Sequence, residues 1–347
     1  MNTRYRNVYV LAPYAHATGG VELGHQLVDY INSHEGNAFM VYEKDGEIVK
    51  DATVTERYSA YNIKVASVIE DASENMLVLP EVYFDWMYRY TAIHAGLWWM
   101  SVDNHFKSSH WSDSLRHCKG WRQKLQMTHY NLKCHRLNSL EDMRRESIRT
   151  YHFYQSAYAQ HFLYSQGITR VLPLGDYINP EIYAQAEIAD MAAERENLVL
   201  YNPAKGYEFT SRLIDANPDV QFIPLKGLTR TQLGDYMRRA KVYIDFGHFP
   251  GKDRLPREAV MNGLCIITGT DGAAGFYEDV AIDAAYKFKA KRKNIPAISA
   301  TIRDIFSDFG KHTCRFDDYR RRIAGEKEQF GRDILNFFFM PDDGITV

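Results

Sequence analysis

Short runs of β-branched and aromatic residues recur along this chain, each followed by a segment whose apolar residues return with a helical period. Asn7–Pro13, Asn37–Tyr42, Met76–Pro80, Gly96–Val102, Tyr151–Gln155 and Arg170–Leu174 read as strands. Between them, Val21–Ser33 sets Leu23, Leu27, Tyr30 and Ile31 near one helical face, Tyr83–His94 reads as a short helix, and Ser156–Gln166 as another. Lys107–Arg149 is polar and basic and reads as helices or loops inserted around the sheet. After the Ala/Glu-rich Ala184–Glu196, a helix or linker, the rhythm restarts. Asn197–Asn202, Val220–Leu225, Lys241–Gly247 and Leu264–Gly269 are strands; Tyr207–Ala216, Thr229–Ala240 (with Thr229 as N-cap) and Pro256–Asn262 are the intervening helices. Thr301–Phe309 and Tyr319–Phe339 read as closing helices. Strand–helix alternation of this kind specifies mainly parallel sheets covered by helices. The expected fold is therefore α/β, with two Rossmann-like doubly wound domains facing a cleft. The first spans 1–183 and the second 184–320, and the closing helix of 321–347 packs back on the first.

The bulk properties agree and exclude other classes. A length of 347 residues suits two domains of roughly 150 residues each. An apolar fraction of 45% and a charged fraction of 25% rule out wholesale disorder. The net charge of −2 argues against coating nucleic acid by overall charge. Four cysteines do not make a disulfide scaffold in a chain this long. No run approaches the ~18 apolar residues of a membrane span, and MNTRYRNVYVLAPY lacks an apolar signal core, so a cytoplasmic protein is expected.

Four turns after strands could carry chemistry, because ligands of such sheets sit beyond the carboxyl ends of the strands. Thr18-Gly19-Gly20-Val21-Glu22 lets backbone approach a ligand and offers a helix N-terminus to an anion. It is not G-x-G-x-x-G, so a dinucleotide fingerprint is missing. Tyr201-Asn202-Pro203-Ala204-Lys205-Gly206 places a lysine where it can reach a phosphate. Tyr243 through Gly263 runs from a strand into a charged Gly/Pro loop holding Lys252, Asp253, Arg254, Arg257 and Glu258; Glu258 can grip a ribose diol or act as a simple helix-start partner. Gly269 through Gly275 is a small-residue turn, with Gly272 and Ala273 at its centre. Each of these also reads as an ordinary turn or a solvated charged loop.

These residues resemble a known family. Glu258-Ala259-Val260-Met261-Asn262-Gly263 followed by a strand looks like the donor-binding region of GT-B glycosyltransferases, especially the retaining, glycosyltransferase family 4-like type that uses nucleotide-diphosphate sugars. Gly19-Gly20-Val21-Glu22 is similar to that family's glycine loop. Tyr154–Tyr158 through Leu172–Asp176 is similar to the segment that ends its first domain. Lys205-Gly206 is similar to its phosphate-binding lysine and following glycine. The pattern covers most of residues 7–280 on about twenty positions. Two family positions differ: the glutamate eight before Glu258 is Pro250, with Asp253 as a partial replacement, and the arginine five before Lys205 is Leu200. The resemblance implies a glycosyltransferase that moves a sugar from a nucleotide-diphosphate donor to a carbohydrate or lipid-linked acceptor, with retention. The first domain would then be the acceptor side and the second the donor side. It implies donor contacts from Gly19, Gly20, Lys205, Arg254, Arg257, Glu258, Gly272 and Ala273, with Lys205 stabilising the leaving diphosphate and Glu258 holding the ribose. No cofactor or metal is required, since lysine, arginine and helix termini carry the charge.

On the acceptor side, Asp103 at a strand end could orient or deprotonate a hydroxyl, Trp99 of the Trp98-Trp99 pair could stack on a sugar, and His16 lies near the glycine loop. His117, Cys118, His129, Cys134 and His135 fit no common zinc spacing and read as solvated or core residues. The basic runs Arg144–Arg149 and Lys289–Lys293 read as solvated faces; lining one groove, they would hold an anionic lipid acceptor or a membrane surface at the cytoplasmic face. Two other functions stay open: a nucleotide-sugar epimerase on the same fold, and a degenerate, non-catalytic nucleotide- or glycan-binding protein.

Overall fold

The computed structural model describes residues 3–16, 18–109, 115, 118, 120–133, 140–180 and 195–339. Residues 184–194 of the expected linker, and His117, Cys134 and His135, lie outside the described residues. The chain divides into two compact units, Met1–Asp176 with Glu328–Val347, and Tyr177–Lys327.

In the first unit, β1 (Asn7–Pro13), β2 (Ala38–Lys44), β5 (Asn75–Pro80), β6 (His94–Trp99), β7 (Thr150–Tyr154) and β8 (Val171–Pro173) pair in parallel. Two-residue strands β3 (Glu47–Ile48) and β4 (Lys64–Val65) extend the β2 side, β3 antiparallel. The order is β3-β2-β1-β5-β6-β7-β8. The chain leaves β1 for β2 on one side and returns as β5 on the other, so the winding reverses between β1 and β5. The central strands are apolar on both faces, with Val8, Val10, Leu11, Leu77, Val78 and Leu97 all buried, as helix-covered parallel strands require. Helices α1 (Gly19–Ser33), α2 (Val102–Ser109), α3 (Trp121–Lys133), α4 (Leu140–Glu146) and α5 (Ala157–Ser165) complete the unit's main connections. The expected helix over 83–94 is a kinked 3-10 segment, Glu81–Arg89, following Pro80.

The second unit is a four-stranded parallel sheet in the order β10-β9-β11-β12: β9 (Glu196–Tyr201), β10 (Gln221–Pro224), β11 (Ala240–Asp245) and β12 (Cys265–Thr268). Helices α6 (Tyr207–Asp215), α7 (Arg230–Arg239) and α8 (Arg254–Met261) connect them. Thr229 does cap α7, in a reciprocal capping box with Gln232. Here the winding reverses between β9 and β11. After β12 come α9 (Ile295–Ser307), which starts six residues before the expected helix, and α10 (Phe309–Thr313). The expected single closing helix breaks at Gly325 into α11 (Asp317–Ala324) and α12 (Glu326–Phe338). Within the first unit, Phe330 of α12 stacks on Trp98, and Asp333 accepts a hydrogen bond from the Gly175 amide. No helix among the described residues is long and apolar enough to cross a membrane.

Candidate functional site

Both reversals of winding put the carboxyl ends of two diverging strands side by side, the usual ligand position of a doubly wound sheet. In the second unit those ends belong to β9 and β11, and the β9 end delivers Lys205. Gly206 takes a left-handed φ of +64°, and a Cβ there would lie 2.5 Å from the Gly247 amide nitrogen. A Cβ on Gly247 would lie 2.5 Å from Cγ of Lys205. The two glycines thus let the turns after β9 and β11 abut, with the lysine stem threaded between them.

The Lys205 ammonium sits 3.9 Å from the centre of the Phe249 ring. It donates to the Asp253 carboxylate and lies 3.4 Å from Asp245 Oδ2. Asp245 is deeply buried and pinned: it accepts from the Tyr243 hydroxyl at 3.0 Å and the Gly247 amide at 2.9 Å. Burial pushes both carboxyls above their ordinary range, and Lys205 offsets that rise only in part. The turn after β12 is joined to the same loop. Phe249 donates its amide to the Asp271 carbonyl at 3.1 Å and accepts from the Ala273 amide at 2.8 Å. Gly272, with φ +67°, is obligatory there, since a Cβ would fall 2.0 Å from the Phe249 carbonyl oxygen.

The other charges of this loop are held in pairs. Arg254 Nε lies 3.7 Å from Glu258 Oε1, both side chains largely buried. Lys252 and Arg257 both reach Glu326, at 2.8 and 2.6 Å. Arg257 is only 1% exposed, and it also donates to the carbonyls of Asp253 and Lys252. Two expected donor contacts are therefore corrected. Arg257 is a tether between α8 and Glu326, sunk beyond reach of a ligand, and Ala273 is fully buried with its amide already given to Phe249. Lys205, Arg254, Glu258 and Gly272 remain together around the β9/β11/β12 edge. Sequence reasoning missed Asp245 as a fixed neighbour of Lys205, and Glu326, whose partner lies 69 residues earlier.

The first unit's edge differs. Thr18 precedes α1 without a side-chain cap, and a Cβ on Gly20 would meet the Met100 side chain only at an ordinary 3.5 Å. His16 is exposed, its Nδ1 2.9 Å from the Tyr14 carbonyl. Asp103 lies in the first turn of α2, half-buried, and shares a hydrogen bond with Tyr158, whose hydroxyl is pushed up by burial and then by Asp103. Trp99 is corrected outright. It is 0% exposed, donates from Nε1 to His152 at 3.0 Å and packs against His105 and Phe162, so it cannot stack on a sugar. Trp98 is equally buried and donates to the Leu174 carbonyl.

Sequence reasoning also missed Glu81, which follows β5 at the reversal of winding. It is buried, accepts from the Met100 amide at 3.1 Å, and burial raises its carboxyl to about 8. Its position one residue past a strand end was the available signal. The basic runs fall on different units. Arg144, Arg145 and Arg149 are engaged by Gln166, Asp142 and Glu146. Among the described residues no three His, Cys, Asp or Glu side chains converge as metal ligands would.

No protein-family model matches the sequence, and no curated protein matches it. Solved structures do match. The Anabaena protein HepE in complex with UDP-glucose aligns with a TM-score of 0.57 at 10% identity, over 95% of this chain and 98% of that one. Sucrose-phosphate synthase from Thermosynechococcus elongatus aligns at 0.53 and 10%, over 96% and 95%. A glycosyltransferase from Rickettsia africae aligns at 0.53 and 11%, over 96% and 94%. Nearly the whole chain is matched in each case, with an identity that speaks for backbone and not for chemistry. In fold, this chain is a GT-B protein.

Proposed function

We propose that the protein is a glycosyltransferase that takes a sugar from a nucleotide-diphosphate donor and passes it, with retention, to a carbohydrate or lipid-linked acceptor. The observation that carries this reading is Lys205, held by two glycines at the reversal of winding in the second unit, with Glu258 on the neighbouring helix. Glycosyl transfer builds negative charge on the departing diphosphate, and a cation fixed beforehand at that place lowers the barrier without reorganising during the reaction. Lys205 supplies the cation. Glu258 is assigned to the ribose hydroxyls, and Arg254 orients Glu258 through their pairing. The reading assigns charge neutralisation to these side chains and to backbone amides, without a metal.

The first unit is assigned to the acceptor, with Asp103 and His16 as the side chains that meet its hydroxyls. The bound UDP-glucose of HepE supports the donor class. The reading keeps the reaction in the cytoplasm. A lipid-linked acceptor would bring it to the inner membrane face, where Lys289, Lys291 and Lys293 are exposed cations.

A panel of nucleoside diphosphates and their sugars tests this by thermal shift. A ligand that binds only the native state raises its stability in proportion to RT ln(1 + [L]/Kd). One base is expected to raise the melting temperature, and the matching nucleotide sugar is expected to release nucleoside diphosphate when a saccharide acceptor is added. A nucleotide sugar converted to its epimer with no acceptor present would select the epimerase instead. No shift with any member would leave only a non-catalytic fold.

A further inference from the structure

The cations of the turns after β9 and β11 are paired with carboxylates of the same chain: Lys205 with Asp253 and Asp245, Lys252 and Arg257 with Glu326, and Arg254 with Glu258. An anion arriving at Lys205 therefore meets a lysine already taken, flanked by two acids. Binding has to be an exchange of one anion for another, and the two acids are not equally able to leave. Asp245 is 1% exposed at its side chain and is fixed by Tyr243 and Gly247. Asp253 is 27% exposed at its side chain and stands on the loop.

A second observation sets Asp253 apart. It occupies the N-cap position of α8 with extended backbone angles, φ −69° and ψ 141°, yet its side chain makes no cap hydrogen bond. Aspartate at that position ordinarily accepts from the amide two or three residues on. Here the carboxylate is turned to Lys205 instead. The residue three on is Pro256, which has no N–H to offer a cap, and the carboxylate is left to the ammonium.

We propose that Asp253 is the replaceable counter-ion of Lys205 and sets the affinity of this edge for a diphosphate. With the site empty it neutralises the lysine. When a diphosphate arrives it yields the ammonium and turns outward, where its side chain is already 27% exposed. Asp245 stays behind as the fixed wall that keeps Lys205 aimed. This rests on the donor reading of the same edge, and its sign is the opposite of that expected of an ordinary binding residue: removing the acid improves binding.

The test is calorimetric titration of the wild type, Asp253→Asn, Asp253→Ser, Lys205→Met and the Asp253→Asn/Lys205→Met double variant with inorganic pyrophosphate and with UDP, GDP and ADP. Asparagine and serine both cap helices well, so the replacements preserve α8 while removing the charge. The expected result is about 3- to 10-fold tighter binding to Asp253→Asn and Asp253→Ser, an advantage that disappears in the Lys205→Met background, as a direct pair requires. Unchanged or weaker binding to both single variants, with melting temperatures near that of the wild type, overturns the proposal. If Asp253→Asn melts early, the serine variant decides by the same criterion. Tighter pyrophosphate binding without binding of any nucleoside diphosphate would uphold the exchange and sink the donor reading. Wild-type nucleotide binding with no gain on substitution would do the reverse.

Discussion

The two reversals of winding use the same backbone device and put opposite chemistry on it. At the β9/β11 edge of the second unit, charges stand in pairs around one ammonium, which remains a quarter exposed. At the β1/β5 edge of the first unit, Glu22 in the first turn of α1 faces a half-exposed Arg57 at 3.4 Å, and the acid that follows β5 is sunk. Glu81 is buried and its carboxyl is raised to about 8, which keeps it neutral at neutral pH. The difference teaches what each edge can hold. An edge with an exchangeable ion pair suits an ionic ligand. An edge whose buried Glu81 keeps its proton would suit neutral hydroxyls, with exposed His16 and half-buried Asp103 assigned to meet them. Fold alone distinguishes neither; a division of labour between the edges would have to lie in the side chains placed on a shared frame.

The sharpest way to break this contrast is to remove the ammonium of Lys205. Lys205→Met keeps the stem that fills the space beside Gly247 and deletes the charge. The transfer rate at saturating acceptor is expected to fall by about 10²- to 10³-fold, the usual loss when one preorganised charge partner of a developing oxyanion is removed. It also leaves Asp245 and Asp253 facing each other unneutralised, so a modest fall in melting temperature accompanies it. A rate within threefold of wild type would show that the second edge is not the donor edge.

Glu258→Ala comes next. Its loss is expected to raise the donor KM by roughly 10-fold or more, in line with the ~1.5–3 kcal/mol of a charge-assisted hydrogen bond. The effect should vanish when inorganic pyrophosphate replaces the nucleotide in a binding assay, because pyrophosphate carries no ribose. Equal weakening of both ligands would show that Glu258 acts through Arg254 and the loop instead of through the sugar of the nucleoside.

Much of this contrast could be read from local pattern. β1 occupies the very span its β-branched run marked, Thr229 caps α7 as its residue type indicated, and Lys205 was visible as a lysine one turn past a strand. What could not be read were partnerships across sequence distance. Trp98 and Trp99 look like a sugar platform in a linear sequence. Alternation along β6 sends them to opposite faces, and α12 and α5 cover both, through Phe330 and Phe162. Arg257 reads as a spare cation until Glu326 is seen beside it. The break in the closing helix at Gly325 is legible only in retrospect, since a single glycine in a helical pattern costs about 1 kcal/mol and is often tolerated. Glu81 is the clearest case: its residue type says solvent, and only the sheet order shows that it lies at a reversal of winding.

Glu81 also offers the mildest test, and one that sharpens the contrast from the first edge. Its folded carboxyl titrates near 8, far above the ordinary carboxylate range, because burial penalises the charged form. Between that ordinary range and about 8, the unfolded chain has lost the proton while the folded chain keeps it. The folded state therefore binds more protons, and stability falls as pH rises through this window and levels off above it. Glu81→Gln retains an oxygen to accept from the Met100 amide and has no charge to bury. In urea melts at pH 6 and pH 9, the wild type is expected to lose about 2–3 kcal/mol across the interval, and Glu81→Gln to lose markedly less. Donor binding, measured at either pH, should be the same in both proteins if the ionic chemistry belongs to the second edge alone. A wild type as stable at pH 9 as at pH 6, or a glutamine variant with the same pH slope, would mean that the first edge carries its charge in the folded state. The assignment of a neutral edge to the acceptor would then fall with it.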